Sequence, residues 1–160
     1  MIRVSLRDWI VTGELGPFRH GATKAELIRR VGQPTDSGCE DLGQDAVWRY
    51  GDIELLFYVS LTEPAVMFSA SIHSFNEVPD GGRDVRIDPW ILRMYMPPGK
   101  LRGGLAGLGV RYREEPDKYD PAALHMVLRD DPEMDIHFIP VKHVTSRPLG
   151  LWGLWSRKEM

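Results

Sequence analysis

The sequence holds a single cysteine, Cys39, so no disulfide can form within the chain. It also lacks any apolar run near the ~20 residues that a membrane-spanning helix needs, and residues 1–9 carry charges where a secretory segment would be apolar. We therefore expect a cytoplasmic protein without a membrane partner. Cys39 lies in a polar stretch with no neighbouring base, which is typical of a bystander thiol rather than a nucleophile.

An excess of charge of one sign is also missing. The 160 residues include 20 Lys and Arg against 23 Asp and Glu, a net charge of −3. Because a dedicated nucleic-acid binder usually carries a basic surface, we expect no nucleic-acid partner. The hydrophobic content of 42% suits a globular core that needs neither metal nor disulfide. The length fits one domain, residues 1–160, with the best internal boundary at Asp80-Gly81-Gly82.

Catalytic and metal-binding motifs are absent as well. The five histidines show no HExxH, HxH or Cys–His spacing, which a metal site would favour. We therefore predict no metal, no cofactor and no enzymatic activity. One alternative stays open: His125 and His137 lie on neighbouring predicted strands, where they could share a ligand if they stood opposite each other on one face.

The clearest local signal is a punctuated helix that ends near Val31. Thr23 is a good N-cap, and Glu26 three residues later completes a capping box. Gly32 suits the position after the helix, and Pro34 prevents its continuation. The sequence therefore predicts a short helix here.

The rest of the first half predicts a helix, a loop and a meander. Apolar spacing predicts a helix over residues 2–12, and residues 35–46 are predicted as a polar loop. Alternating apolar residues predict three antiparallel strands after the loop, separated by a Gly51-Asp52 turn and by Pro64. These strands cover residues 46–50, 53–59 and 66–75.

The second half follows a similar order. Asp88-Pro89 is predicted to start a helix or turn, and a glycine-weakened helix follows over residues 100–108. Strands over residues 124–128 and 134–139 flank a turn at Asp130-Asp131-Pro132. The fold class is α+β, with short antiparallel strands and helices on one face. The shared order indicates either two helix-plus-hairpin repeats, residues 1–79 and 83–160, or the ordinary rhythm of an α+β domain.

The first half resembles known small binding modules. The string Gly21-x-Thr23-x-x-Glu26-Leu27-x-x-x-Val31-Gly32-x-Pro34, followed by Trp48 and Tyr50 on a strand, resembles the BamE/SmpA-like and β-lactamase-inhibitor-protein-like α+β modules. It is also similar to uncharacterised bacterial cytosolic proteins that include immunity-protein-like members. The resemblance implies a protein that binds another protein. Because the chain shows no signal peptide and no lipidation cysteine, we do not expect the membrane-assembly role of the lipoprotein version.

These observations favour a non-enzymatic protein-binding module, immunity-protein-like, whose partner is a protein such as a toxin. Asp52, Glu54 and Tyr58 are the predicted binding residues, because Asp52 and Glu54 are expected to face one side of a strand. The alternative is a small enzyme or ligand-binding protein that uses His125, His137 and nearby carboxylates. In the apolar tail, Trp152 and Trp155 are three residues apart, which predicts one face of a helical turn packed over the sheet.

Overall fold

The computed structural model describes residues 1–73, 79–93, 95–118, 120–130, 133–140 and 149–158. Its helices are α1 (Leu6–Thr12), α2 (Lys24–Val31) and α3 (Pro98–Leu108). Its strands are β1 (Ile2–Ser5), β2 (Asp36–Asp41), β3 (Gln44–Tyr50), β4 (Ile53–Tyr58), β5 (Val66–His73), β6 (Val85–Asp88), β7 (Arg113–Pro116), β8 (Leu124–Asp130), β9 (Glu133–Pro140) and β10 (Leu149–Arg157).

Eight of the strands form one sheet in the order β2-β3-β4-β5-β10-β9-β8-β7. Every neighbouring pair in this sheet is antiparallel. The remaining strands β1 and β6 pair in parallel as a separate two-stranded sheet. The predicted α+β class with a mainly antiparallel sheet is therefore confirmed. The two strand runs meet at the β5–β10 ladder, in the middle of the large sheet.

Helix α2 is built as its sequence predicts. The backbone N–H of Glu26 donates to the Thr23 hydroxyl at 3.3 Å, and the backbone N–H of Thr23 donates to the Glu26 carboxylate at 2.9 Å. This reciprocal pair satisfies two amide groups that the first turn leaves without helical partners. Gly32 ends the helix with φ of 104°, a conformation that other residues adopt only under strain.

The predicted meander is confirmed in β3, β4 and β5, but residues 35–46 are not a loop. They contain β2 and the start of β3, joined by Leu42 and Gly43 with φ of 49° and 74°. Two successive positive φ values are typical of the tight hairpin turn whose twist matches the strands. Strand β2 lies at the edge of the sheet and is largely exposed, so it lacks the alternation that predicts strands. Ser74 and Phe75, predicted to end the third strand, lie outside the described residues.

The N-terminal helix is shorter than predicted. Residues Ile2–Ser5 form a strand that pairs with β6, and only Leu6–Thr12 are helical. The Ser5 hydroxyl accepts the backbone N–H of Asp8 at 3.2 Å, which makes Ser5 the N-cap of α1. A residue that caps a helix has extended backbone, so Ser5 marks the change from strand to helix. The predicted end at Gly13 is confirmed by its left-handed φ of 80°.

In the second half, α3, β8 and β9 are confirmed, and the predicted segment after Asp88-Pro89 is a turn. Strand β7 was not predicted, because it is an exposed edge of Arg113–Pro116 without an apolar face. The helical turn predicted in the tail is wrong, since Trp152 and Trp155 belong to strand β10. Their side chains lie outside the described part of the structure, as do Asp131 and Pro132 of the predicted turn.

One hydrophobic cluster joins the described helices and the sheet. Its members include the buried side chains of α1, α2 and α3 and alternate residues of the strands, among them Trp9, Leu27, Leu101, Trp48, Ile53, Leu55, Met126, Ile136, Phe138 and Leu154. The indole Nε1 of Trp9 donates to the buried Ser156 hydroxyl at 3.2 Å, which ties α1 to β10. Alternate residues of the same strands point away from this cluster, to what we call the outer face of the sheet.

Among the described residues, none of the helices has both the length and the apolar character required to cross a membrane.

Candidate functional site

The predicted residue Glu54 lies on the outer face within a row of charged side chains. The register places Asp36 opposite Arg49 and Arg49 opposite Glu54 on strands β2, β3 and β4. Arg49 donates from Nε and Nη2 to Glu54 Oε2 at 3.0 and 2.9 Å, and from Nη1 to Asp36 Oδ2 at 3.3 Å. Hydrogen bonds from Arg49 to Glu54 raise the pKa of the guanidinium. We call Asp36, Arg49 and Glu54 the charged row.

Asp52 does not share the strand with Glu54. It belongs to the turn before β4, where its Oδ2 accepts the backbone N–H of Asp80 at 2.7 Å. Its own backbone N–H donates to the carbonyl oxygen of Asp80 at 2.6 Å. A Cβ on Gly51 would lie 2.3 Å from that same carbonyl oxygen, so the two turns pack too closely for a side chain. The Asp52 carboxylate therefore has a structural contact, and its proposed role in binding remains a prediction.

Tyr58 ends β4 and is 56% exposed, which is unusual for a large aromatic residue of a strand. Nearby, a shallow pocket of about 270 Å³ opens on the outer face at the centre of the sheet. Its lining includes Glu54, Leu56, Ser69, Ser71, Glu133 and Arg157. An apolar and polar lining of this kind, flanked by an exposed tyrosine, is typical of contact surfaces for another molecule.

The two histidines of the alternative hypothesis stand directly opposite each other. His125 on β8 pairs in register with His137 on β9, and their ring centroids lie 4.1 Å apart. About one fifth of each side chain is exposed, 20% for His125 and 17% for His137. The convergence that the sequence left open is therefore present.

A buried carboxylate completes this pair. Asp135 lies two residues before His137 on the same strand, so both side chains point to one face. Its Oδ2 lies 2.9 Å from His125 Nε2, and its Oδ1 lies 3.8 Å from His137 Nε2. The Asp135 side chain is only 2% exposed. We call His125, Asp135 and His137 the His/Asp cluster.

Burial and pairing act on the ionisation of this cluster. Contact with the Asp135 carboxylate raises the pKa of His125, and the nearby Glu115 and Asp117 add to that effect. Burial raises the pKa of Asp135, and the neighbouring His125 opposes this only in part. The interactions around the carboxylate therefore compensate only part of the free energy that it loses when burial removes its water.

A second carboxylate touches the far side of one ring. Asp117 Oδ2 lies 3.4 Å from Nδ1 of His137, opposite the nitrogen that faces Asp135. Asp117 follows β7, the outermost strand, whose Glu115 is the register partner of His125. Three neighbouring strands and the segment after β7 thus supply two imidazoles and a set of carboxylates within one small region.

Two atoms of the cluster are poorly satisfied within the described part of the chain. Asp135 Oδ1 and His125 Nε2 are both buried and have no hydrogen bond of ordinary geometry there. The 2.9 Å contact between His125 and Asp135 has the length of a hydrogen bond, but it is not one of the well-formed hydrogen bonds of the described residues. Buried polar atoms of this kind are uncommon, and they call for a partner.

Sequence reasoning missed Asp135 as the central residue of the cluster. The available signal was the spacing Asp135-x-His137 on a strand with clear alternation, because residues two apart share a face. Asp117 lies in an acidic run with Glu114 and Glu115, and nothing in the sequence singles it out from them. Glu114 faces elsewhere and accepts from Arg102 Nε at 2.7 Å.

A further pocket lies away from both sites. It has a volume of about 550 Å³ and opens beside the β1–β6 pair. Its lining mixes Arg3, Arg86 and Arg93 with Asp80 and Asp88, so neither sign of charge prevails by a wide margin. None of the predicted site residues lines it.

Comparisons of this chain with protein-family models, with curated proteins and with solved structures found no match. The resemblance of residues 21–50 to the BamE/SmpA-like and β-lactamase-inhibitor-protein-like modules therefore stays a prediction.

Proposed function

We propose that this chain is a non-enzymatic protein-binding module, immunity-protein-like, that neutralises a basic toxin through the outer face of its sheet. The observation that carries this proposal is the exposed Tyr58, which lies on the same face of β4 as Glu54 of the charged row and Leu56 of the shallow pocket. Tyrosine supplies a large contact area with a polar end, which is why it is enriched at the energetic centres of interfaces.

Charge supports the choice of a basic partner. The acids Asp36, Glu54 and Glu133 on this surface outnumber Arg49 and Arg157, which pair with them. A partner that brings its own arginines or lysines would meet carboxylates that are already held in place. Such complementarity mainly accelerates association and excludes wrong partners.

The proposal includes a layered architecture with the described helices on one face of the sheet. Its support is that the buried residues of α1, α2 and α3 share one cluster with the inward strand residues. The outer face would then be available to a partner. We also propose that the protein works in the bacterial cytoplasm, where an immunity protein meets its toxin.

We further propose that the two halves are structural repeats. Each half has a helix followed by four strands that pair in chain order, α2 with β2–β5 and α3 with β7–β10. The two runs lie in the sheet in mirrored order, with β5 beside β10 at the centre. A duplicated unit would explain why a chain of 160 residues has two sites of different chemistry at corresponding places.

Charge reversal and aromatic truncation test the binding surface. Captured proteins from the native bacterium are identified, and the affinity of the purified partner is measured for Glu54→Lys and Tyr58→Ala. We expect each change to weaken binding at least tenfold. Asp52→Lys is less informative, because it would also disturb the turn that holds Asp80.

Two matched controls lie elsewhere. Tyr95 is 57% exposed, almost as Tyr58 is, and Glu114 is paired with Arg102 much as Glu54 is paired with Arg49. Tyr95→Ala and Glu114→Lys should leave affinity unchanged. If the partner binds Glu54→Lys and Tyr58→Ala with unchanged affinity, this surface is not the binding site. Reproducible turnover of a small molecule by the purified protein would refute the non-enzymatic role.

A second candidate function is a small-ligand site or enzyme at the His/Asp cluster. It is favoured by one observation, the register that sets His125 opposite His137 over a buried carboxylate. Imidazole beside a carboxylate is the usual arrangement of a general base. Loss of a small-molecule activity in His137→Gln, with toxin binding intact, would support this candidate over the first.

A further inference from the structure

We propose that the His/Asp cluster is a binding site for one Zn²⁺ ion, with His125, His137 and Asp135 as its ligands. One ligand atom from each residue lies within 4.8 Å of the others. The site is separate from Tyr58 and the charged row, because its residues lie on β8 and β9 while Tyr58 and the charged row lie on β2, β3 and β4.

The distances suit a small dication. Zinc bonds to nitrogen and oxygen of about 2.0–2.1 Å in a tetrahedral site put neighbouring ligand atoms about 3.3 Å apart. His125 Nε2 lies 2.9 Å from Asp135 Oδ2, and His137 Nε2 lies 3.8 Å from Asp135 Oδ1, on either side of that value. The three ligand atoms all lie within 4.8 Å of one another, so seating the ion requires side-chain adjustment toward the tetrahedral separation.

The unsatisfied atoms point the same way. Within the described residues, Asp135 Oδ1 and His125 Nε2 are buried without a well-formed hydrogen bond, and Asp135 is 2% exposed. A carboxylate in that position costs free energy unless a positive charge compensates it. A cation coordinated by this oxygen and this nitrogen would satisfy both atoms at once.

The contact behind His137 has the form of an outer-shell interaction. Asp117 Oδ2 lies 3.4 Å from Nδ1 of His137, so it can hold a hydrogen on Nδ1 and leave Nε2 free of hydrogen to coordinate the ion. Metal-binding histidines nearly always have such a partner, which fixes the ring and its tautomer. Asp117 is therefore a positioning residue.

The donor set selects the class of metal. Two imidazoles and one carboxylate suit Zn²⁺ and similar first-row dications, whereas Ca²⁺ and Mg²⁺ prefer six or more oxygen donors. Three protein ligands leave a fourth position for water, which is the arrangement of catalytic rather than structural zinc sites. About one fifth of each histidine side chain is exposed.

Metal titration of the full-length protein, purified without a histidine tag, tests the site. Isothermal titration with Zn²⁺ should show one ion per chain, and Co²⁺ should give the visible absorption of a tetrahedral complex. His125→Gln, His137→Gln and Asp135→Asn should each weaken Zn²⁺ binding at least a hundredfold and abolish the cobalt spectrum. The matched control His20→Gln removes a histidine of the first half and should change neither readout.

Asp117→Asn separates positioning from coordination. Removing an outer-shell partner typically costs 10–100-fold in metal affinity, so we expect a loss of that size with the cobalt spectrum retained. A direct measurement needs no variant: on addition of Zn²⁺, the ring resonances of His125 and His137 should shift in ¹⁵N-edited spectra, and those of His20 should not. Zinc binding that survives His125→Gln and His137→Gln, or an absence of stoichiometric binding, would overturn the proposal.

Discussion

The outer face of the sheet places charged groups in two opposite settings. At the charged row, Asp36 and Arg49 are 62% and 51% exposed, and Arg49 pairs with Asp36 and with the half-buried Glu54. At the His/Asp cluster, the carboxylate of Asp135 is buried at 2% exposure and only partly compensated. Exposed pairs of the first kind contribute little to stability. A buried acid without full compensation destabilises the folded state, so its presence indicates a functional role.

The helices that precede these strands differ in a similar way. Helix α2 is closed by a capping box at Thr23 and Glu26. Helix α3 begins after Pro97 without a side-chain cap and contains Gly99, Gly103, Gly104 and Gly107. The first half therefore has the helix with the stronger cap and no internal glycine, and the second half has the buried titratable groups of the His/Asp cluster. Four substitutions test how far these regions differ.

Asp135→Asn should produce the largest change. It replaces a carboxylate whose pKa burial raises by a neutral group of the same shape, so the metal-free protein should gain free energy of unfolding at neutral pH, where the ionised acid destabilises the folded state. Urea denaturation in the presence of a chelator would measure this gain. A loss of stability would mean that Asp135 is a structural partner of His125 and would remove the contrast between the two settings.

Thr23→Ala should lower stability by about 1 kcal/mol, the usual effect of a lost N-cap. The Thr23 hydroxyl accepts a hydrogen bond from the Glu26 backbone N–H, and the methyl group of alanine cannot accept one. The measurement is the shift in urea midpoint at constant slope. Thr23→Ser, which keeps the hydroxyl, is the control, and an equal loss in both variants would count against capping as the cause.

Gly103→Ala should raise the free energy of unfolding by about 0.5–1 kcal/mol, because glycine inside a helix loses more conformational entropy on folding than alanine does. A Cβ at Gly103 would meet no atom within 4 Å. The neighbouring Gly104 is the matched control, since its Cβ would lie 2.3 Å from Ile91 Cδ1 and 2.8 Å from the Trp90 ring. Gly104→Ala should therefore destabilise the protein. Equal thermal midpoints for the two variants would show that α3 does not pack as described.

Arg102→Gln should have the smallest effect, a decrease of about 0.2–1 kcal/mol in the free energy of unfolding at neutral pH and low salt. Hydrogen bonds from Arg102 lower the pKa of Glu114 below its ordinary value. A carboxyl with a lowered folded-state pKa stabilises the protein above its unfolded pKa of about 4.3, and the effect is lost as pH falls through the folded value. The difference between wild type and variant should therefore shrink in acid, and a difference independent of pH would contradict this origin.

Local patterns predicted most of the fold. The capping box, the Gly51-Asp52 turn and the alternation of β4 and β9 depend on neighbours in sequence, and the structure contains all of them. Strands β2 and β7 were missed, because edge strands exposed on both faces have no apolar alternation. Strand β10 was missed because its place between β5 and β9 depends on pairings far apart in sequence.

The candidate site was predictable only in part. Alternation could place Asp135 and His137 on one face, but the partner of His137 depends on the hairpin register. That register changes between Val127 and Arg129, where the ladder carries a bulge, so turn length alone does not set His125 opposite His137. Burial of Asp135 depends on packing of the complete sheet. Sequence patterns therefore supplied the two histidines, and only the folded chain showed that Asp135 joins them.

The central β5–β10 seam governs how quickly the molecule can assemble. Each of its pairs joins residues 80 to 88 positions apart, from Gly153 with His73 to Arg157 with Ser69. Within each half, by contrast, neighbouring strands pair across short connections and can form early. Pairing β5 with β10 closes a long loop, and the entropy that this closure costs is lost before the strand contacts can compensate for it. The seam is therefore expected to form late and to limit the folding rate. Until then the open edge of β5 can accept a strand from another molecule, which makes the seam the point where folding competes with domain swapping.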